Sequence, residues 1–291
     1  MEHIPVLLQE TIQYLQIKPG GKYIDCTLGL GGHTKEILEA SKPNGMLLGI
    51  EGDETTLNST TLSLKSFGDR VKFVLGNFRD IEKIAKENDF EQVDGILYDL
   101  GLSSYLIEHG RGISFMKETP LDMRMRPWEQ DLTAAEVVNR WPEHKITDII
   151  YQFGGEGRSR KVARAICEYR KKNFIRTTTE LAEVIESAIG KGGKIHSATK
   201  TFQALRIVVN EEYENLSKSL EGAVKLLAPH GRIVVISFHE GEDRIVKRFF
   251  KSLNKKIITK KPIEPTREEI GKNPRSRSAK LRVLENNQEG D

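Results

Sequence analysis

Residues Lys22-Tyr23-Ile24-Asp25-Cys26-Thr27-Leu28-Gly29-Leu30-Gly31-Gly32-His33-Thr34 read as a short buried strand that runs straight into a glycine-rich turn and then a helix start. The strand carries the chain to the edge of a sheet. Gly29, Gly31 and Gly32 permit a tight turn and close approach of a ligand, and the helix that follows, over Lys35 to Ala40, offers unpaired N–H groups at its start. Such a turn is the pocket of an adenine-containing cofactor.

Glycine turns occur in many ordinary loops, so the neighbouring strands decide which cofactor. A dinucleotide fingerprint wants a third glycine or alanine three residues beyond the second; counted from Gly29 and Gly31, that position is Thr34. A nicotinamide-dependent oxidoreductase is therefore disfavoured. The next apolar run, Met46 to Ile50, is a second strand ending at Glu51, whose carboxylate can accept both hydroxyls of a ribose. A third strand, Val71 to Leu75, runs into Gly76-Asn77-Phe78, and a fourth, Val93 to Tyr98, into Asp99-Leu100-Gly101. The Asn77 amide is placed to meet the adenine amino group and Phe78 to cover the ring face. This set fits S-adenosylmethionine better than NAD, and a non-catalytic RNA-binding module would have no reason to keep it together.

Composition narrows the class without finding the activity. The chain has 291 residues, 37% hydrophobic and 30% charged, which is globular and long enough for one large domain or two smaller ones. The net charge of +3 predicts no partner by itself. The cations cluster, however: Arg158, Arg160, Lys161, Arg164, Arg170, Lys171, Lys172 and Arg176 crowd one segment, and Lys247 to Lys261 and Arg275 to Arg282 form two more. No run approaches membrane-spanning length and the first residues lack a secretory pattern, so a cytoplasmic protein with no membrane partner is expected. Cys26 and Cys167 stand apart from each other and from paired histidines, which suggests small buried hydrophobes and neither a metal site nor a disulfide.

The alternation of strand and helix stops at about Tyr105 and resumes after Asn210, where Gly231 to Ser237 supply another buried strand. The expected organisation is a discontinuous sheet domain, residues 1–104 and 211–285, interrupted by a helical insertion over 105–210, with 286–291 a disordered polar tail. Within the insertion, Thr177-Thr178-Thr179-Glu180 is a capping box that starts a helix stopped by Gly190. Another helix carries Val162, Ile166 and Tyr169 on one face and Arg160, Arg164 and Lys171 on the other. Around Phe202, the polar residues Thr199, Gln203, Arg206 and Asn210 recur at helical spacing, a stripe that must be solvated, internally bonded or used to bind something.

Several separated segments resemble one family. His3 to Leu8, Thr27 to His33, Asp99-Leu100-Gly101-Leu102-Ser103-Ser104, Pro120-Leu121-Asp122-Met123-Arg124-Met125, Thr201 to Ile207, Ile236-Ser237-Phe238-His239, Glu242-Asp243-Arg244 and Asn273-Pro274-Arg275-Ser276-Arg277-Ser278 look like the MraW/RsmH methyltransferases, in the family's order from His3 to about Arg282. The resemblance implies an α/β, Rossmann-like class I methyltransferase sheet of seven strands, completed by Lys255 to Ile263 and Ala279 to Glu285. It implies transfer of a methyl group from S-adenosylmethionine to the exocyclic N4 of a cytosine in small-subunit (16S) ribosomal RNA, in the decoding region. The partner would be the small ribosomal subunit; the oligomeric state, a homodimer included, is left open. Cofactor contacts would fall on Gly31, Gly32, His33, Glu51, Phe78, Asp99 and Leu106, and RNA contacts on Ser103, Arg160, Arg164, Gln203, Arg206, Asn210, His239, Arg275 and Arg277. Departures touch both sides: Glu51 stands where most relatives have aspartate, Leu106 replaces a polar residue, and Gly157-Arg158, Ser197 and Glu240-Gly241 also differ from the family pattern.

Methyl transfer from a sulfonium is an in-line displacement, so the acceptor must be held near the methyl carbon with its lone pair aimed and water excluded. The cytosine amine is a poor nucleophile because its lone pair is delocalised into the ring. Acceptor oxygens that hold the amine hydrogens oppose that delocalisation, and Asp99 is the candidate catalytic group, although it could instead touch the methionine part of the cofactor. Other amino-methyltransferases carry Asp-Pro-Pro-Tyr there, so an enzyme acting on another RNA base or on DNA amines remains the closest alternative.

Overall fold

The computed structural model describes residues 4–101, 111–193 and 195–287. It divides into two compact units, residues 1–103 with 213–291, and residues 104–212.

In the first unit, β1 (Lys22–Asp25), β2 (Met46–Glu51), β3 (Val71–Leu75) and β4 (Val93–Asp99) are parallel. With β5 (Leu227–Ser237), β6 (Lys256–Ile257) and β7 (Lys280–Glu285) they make one seven-stranded sheet in the order β3-β2-β1-β4-β5-β7-β6. β7 runs antiparallel to both its neighbours. Both sheet faces are covered, which is why the strands read as continuous apolar runs. On one face Ile24, Leu48, Ile50, Ile96, Tyr98, Ile233 and Val235 pack with residues of α4 (Ile81–Glu87), α10 (Glu212–Leu226) and α11 (Glu240–Ser252). On the other, Leu47, Leu97, Val234, Ile236 and Val283 meet α1 (Leu8–Leu15) and α2 (Gly32–Ala40). The carboxyl ends of the parallel strands share one edge, and the order reverses between β1 and β4, where a ligand crevice opens in sheets of this kind.

Several boundaries differ from the sequence expectation: the strand expected over Lys255 to Ile263 is only Lys256–Ile257, and the helical unit is 104–212 rather than 105–210. β5 starts at Leu227 rather than Gly231, because Val93 pairs with Leu227 and Gly95 with Arg232, leaving the intervening residues as a bulge in which His230 has a positive φ of 62°. The tail does not begin at Asn286: that side chain is buried and its amide donates to the carbonyls of Leu227 and Ala228, tying off the same bulge.

The second unit is irregular over residues 111–133 and mainly helical from Ala134 onward. α5 (Ala134–Arg140), α6 (Glu143–Gln152), α7 (Ser159–Arg170), α8 (Thr178–Ile189) and α9 (Thr199–Val209) enclose Val137, Ile146, Ile150, Val162, Ile166, Leu181, Ile185 and Leu205. Thr177 caps α8 in the expected box with Glu180, and Gly190 closes it with a φ of 80°. Among the described residues no helix is long and apolar enough to cross a membrane.

Candidate active site

The turn after β1 is built to leave its glycines bare. A Cβ at Gly31 would stand 2.8 Å from Thr60 Cγ2, and one at Gly32 would collide with Pro5, so both positions exclude a side chain. Thr60 also donates its hydroxyl to the Gly29 carbonyl at 2.6 Å, fixing the turn from below. Glu51, at the end of β2, accepts the backbone N–H of Gly29 and of Asp53, both at 2.9 Å, one on each carboxylate oxygen. It therefore shapes the glycine turn while keeping further lone pairs for a ligand, and burial raises its pKa above the ordinary carboxylate value.

Thr34, at the position where a dinucleotide turn would need glycine, donates its hydroxyl to the buried Asp25 carboxylate at 2.7 Å. Asp25 also accepts the Thr27 N–H, and the Thr27 hydroxyl oxygen accepts the Asp99 N–H at 2.6 Å. The ends of β1 and β4 are thus locked together beneath the crevice.

Three buried polar atoms at or just past the strand ends have no hydrogen-bond partner among the described residues: Asn77 Nδ2 after β3, Asp99 Oδ1 at the end of β4 and His239 Nε2 after β5. Buried polar groups are nearly always paired, so each marks a place where a ligand belongs. Asn77 corrects one expectation. Its Oδ1 accepts the Arg79 N–H at 3.0 Å, so the free end is a donor, which suits a ring nitrogen of adenine rather than the amino group. Phe78 stands half-buried beside it, edge-to-face with Tyr98 at 5.9 Å.

Asp99 faces His33, with Oδ2 3.7 Å from Nδ1. His33 Nε2 lies 3.0 Å from the Val6 carbonyl, which can only accept, so Nε2 carries the hydrogen and Nδ1 turns its other side to Asp99. That approach is attractive when one proton lies between the two groups. Burial pushes the Asp99 carboxyl up to about 7, the Gly101 amide opposing this and the charge of Glu242 adding to it. Burial lowers the His33 pKa, while the neighbouring Asp25 pulls the other way.

The amino-terminal segment, matched to the family but assigned no role from sequence, thereby enters the site. Pro5 covers Gly32, Val6 anchors His33, and the segment is itself held by Asn273, whose amide donates to the Ile4 carbonyl at 3.0 Å, and by Glu269, which accepts the Leu7 N–H. Asn273 opens the short turn Pro274–Ser278 that carries Arg275 and Arg277, both exposed. That loop is ordered and tied to the cofactor turn through the strap.

Other candidate RNA residues are engaged differently from the expectation. Asn210 is buried; its Oδ1 accepts the Met125 N–H and its Nδ2 donates to the Met123 carbonyl, both at 2.8 Å, so it fixes the Met123–Met125 segment instead of facing a ligand. Arg206 makes a bidentate pair with Glu212 at 2.7 and 3.0 Å, and Gln203 donates to the Phe153 carbonyl. Three of the four polar residues of that stripe, Gln203, Arg206 and Asn210, are thus internally bonded. His239 is the N-cap of α11, with Nδ1 accepting the Glu242 N–H and Nε2 3.1 Å from a Glu242 oxygen. Arg160, Arg164 and Lys171 are exposed on α7, opposite buried Val162 and Ile166, and Lys171 pairs with Glu168 at 2.7 Å. Arg158 and Arg170 are spent on Glu156 and on the Val138 carbonyl. Ser103 and Leu106 lie outside the described residues.

A seven-stranded α/β sheet with a glycine turn after β1, an acid after β2 and a half-buried carboxylate at the end of β4 defines an S-adenosylmethionine-dependent methyltransferase of Rossmann-like fold. The chain belongs to the MraW methylase family, whose sequence model matches residues 1–287. It is 47% identical to a ribosomal RNA small subunit methyltransferase H of Dehalococcoides mccartyi, over 97% of this chain and 86% of that protein. It is equally 47% identical to the protein of the same name from Clostridium botulinum, over 97% of this chain and 98% of the other. Among solved structures it is similar to PH0851, with a TM-score of 0.51 at 15% identity over 98% of this chain and 46% of that one. A putative rRNA-methylase from Clostridium thermocellum gives a TM-score of 0.47 at 15% identity, over 98% of this chain and 99% of the other.

The cofactor is S-adenosylmethionine, and the site fits it. Glu51 has lone pairs to spare beyond the two backbone N–H groups it accepts, and the unpartnered Asn77 donor and Asp99 acceptor are satisfied by a ligand with groups of the opposite kind.

Proposed function

We propose that this protein transfers the methyl group of S-adenosylmethionine to the exocyclic N4 of a cytosine in small-subunit (16S) ribosomal RNA. The observation that carries the reading is Asp99: a half-buried carboxylate at the end of β4, with one oxygen unpartnered among the described residues and the other 3.7 Å from His33 Nδ1. The bound cofactor supplies an electrophilic methyl on a sulfonium. The protein's own task is the amine. Asp99 accepts a hydrogen of the N4 amine, which localises the nitrogen lone pair, and takes up the proton that the amine sheds; the bond from its backbone N–H to the Thr27 hydroxyl fixes the strand end that carries it. Glu51 holds the ribose, Asn77 donates to an adenine ring nitrogen, and Phe78 covers the ring.

The names of relatives sharing 47% of this sequence support the RNA substrate, and Asp99-Leu100-Gly101-Leu102-Ser103-Ser104, in place of Asp-Pro-Pro-Tyr, supports the family's own amine. Arg160, Arg164 and Lys171 on α7 would grip phosphates and thus position the base. The test is incubation of the purified protein with methyl-labelled cofactor and small subunits from cells lacking it. Label recovered as N4-methylcytidine, and lost with Asp99→Ala, supports the assignment. Label on another base, or on a DNA amine offered in competition, would transfer the same machinery to a different acceptor.

A further inference from the structure

We propose that the outward face of α11 is a second phosphate-binding surface, lying on the methyltransferase unit itself and engaging the backbone of the same RNA independently of α7. The inference rests on the RNA reading above and adds to it a second point of grip.

Arg244, Lys247, Arg248 and Lys251 are all exposed. Their spacing places them on one side of the helix, opposite Asp243, Val246 and Phe250, which are buried. No ion pair to any of the four is found among the described residues. Elsewhere in the unit Lys83 pairs with Glu87, Lys86 with Glu82, Lys218 with Glu214, and Lys272 with Glu268, at 3.9, 2.9, 3.4 and 2.7 Å. Those are the i,i+4 pairs that an ordinary solvated helix acquires. What sets α11 apart is that four cations without such a partner share one helix face.

The acids of α11 are removed from this face. Glu242 accepts the backbone N–H groups of Phe238 and His239 and lies beside the His239 ring, Asp243 is taken up by a buried pair with Arg282 at 2.6 Å, and Glu240 by Lys280. A cationic C-terminal turn suits the helix macrodipole, which accounts for Lys251, but Arg244 and Lys247 lie too far from that end to gain from it. Four adjacent unpaired cations instead form a surface complementary to a polyanion. The stripe on α7 differs: Glu168 interrupts it and holds Lys171. By this criterion α11 is the more open of the two surfaces.

The test compares the wild type with Lys247→Gln/Arg248→Gln/Lys251→Gln in binding to purified small subunits across a salt titration. Glutamine keeps helix propensity, and an unchanged melting temperature and unchanged affinity for S-adenosylhomocysteine establish that the variant is folded. Each phosphate released from a cation flattens the log–log salt slope by about one unit, so the triple variant should bind more weakly with a slope about three units shallower. The matched variant Lys83→Gln/Lys86→Gln, which removes cations already paired, should barely move it. A wild-type slope retained by the α11 variant overturns this inference alone. A wild type that ignores subunits, or prefers phosphatidylserine vesicles to them, overturns the RNA reading and this surface with it.

Discussion

Asp99 must be a carboxylate to accept a hydrogen from an amine, yet its surroundings favour the neutral acid. With its folded value raised to about 7, the ionised fraction grows as pH rises through that value, so kcat/KM should climb to a plateau above it. The stability consequence has the opposite sign. A carboxyl whose folded pKa exceeds its unfolded value near 3.8 stabilises the fold while protonated, and that contribution is lost as pH rises toward 7. Asp99→Asn should therefore be inactive, melt like the wild type at low pH, and melt higher than the wild type at pH 8. A variant that melts lower at pH 8 would show that the ionised carboxylate is satisfied by the fold and not held ready for a substrate. For Asn77, removal of the unpartnered donor by Asn77→Asp should weaken S-adenosylhomocysteine binding by about 1 to 3 kcal/mol in calorimetry, because Oδ1 can go on capping the Arg79 N–H while the ring nitrogen loses its donor. Unchanged affinity would remove Asn77 from the adenine pocket. At this scale the sequence is most informative where a residue type and a strand end coincide, as for Glu51 and Asp99. Whether a polar side chain is already satisfied is hidden from it, which is why Asn210 reads as a ligand although its amide is taken up by the Met123–Met125 segment.

Elements show the same division. Apolar runs bounded by turn residues located β1 to β4, and the Thr177–Glu180 box located α8, because each signal is local and complete in a few residues. The bulge at the start of β5 was not legible, since it depends on Val93 pairing with Leu227 and on Asn286 closing the far side. Nor was the strap over the cofactor turn, whose anchors Glu269 and Asn273 are distant in sequence. Two variants probe the helical unit. Asn210→Ala strands the Met123 carbonyl and the Met125 N–H, each costing about 1 to 3 kcal/mol if left unpaired, so denaturant melts should show a stability loss of that order. A stability-neutral variant with weakened RNA binding would return Asn210 to the ligand surface. Arg160→Glu/Arg164→Glu/Lys171→Glu should lower small-subunit affinity and flatten its salt dependence, yet leave cofactor affinity unchanged, because the glycine turn belongs to the other unit. Normal binding across the titration would make the α7 face ordinary solvated surface.

For the molecule as a whole, the chemistry and the bulk of the substrate make different demands. The sheet unit provides a cradle that fits a small cofactor and one carboxylate, while an RNA acceptor needs charge spread over surfaces that the cofactor never touches. On the proposed reading the exposed cations of α7 would supply one such surface on the helical unit, and those of α11 another on the sheet unit. Composition concealed this, because a net charge of +3 averages paired cations with unpaired ones. The most direct test of the whole assignment is mass-spectrometric mapping of small-subunit ribosomal RNA from cells with the protein, cells lacking it, and cells carrying only Asp99→Asn. A single cytosine bearing an N4-methyl group in the first and lacking it in the other two is the expected result. An identical modification pattern in all three, or a loss confined to a base other than cytosine, would contradict it.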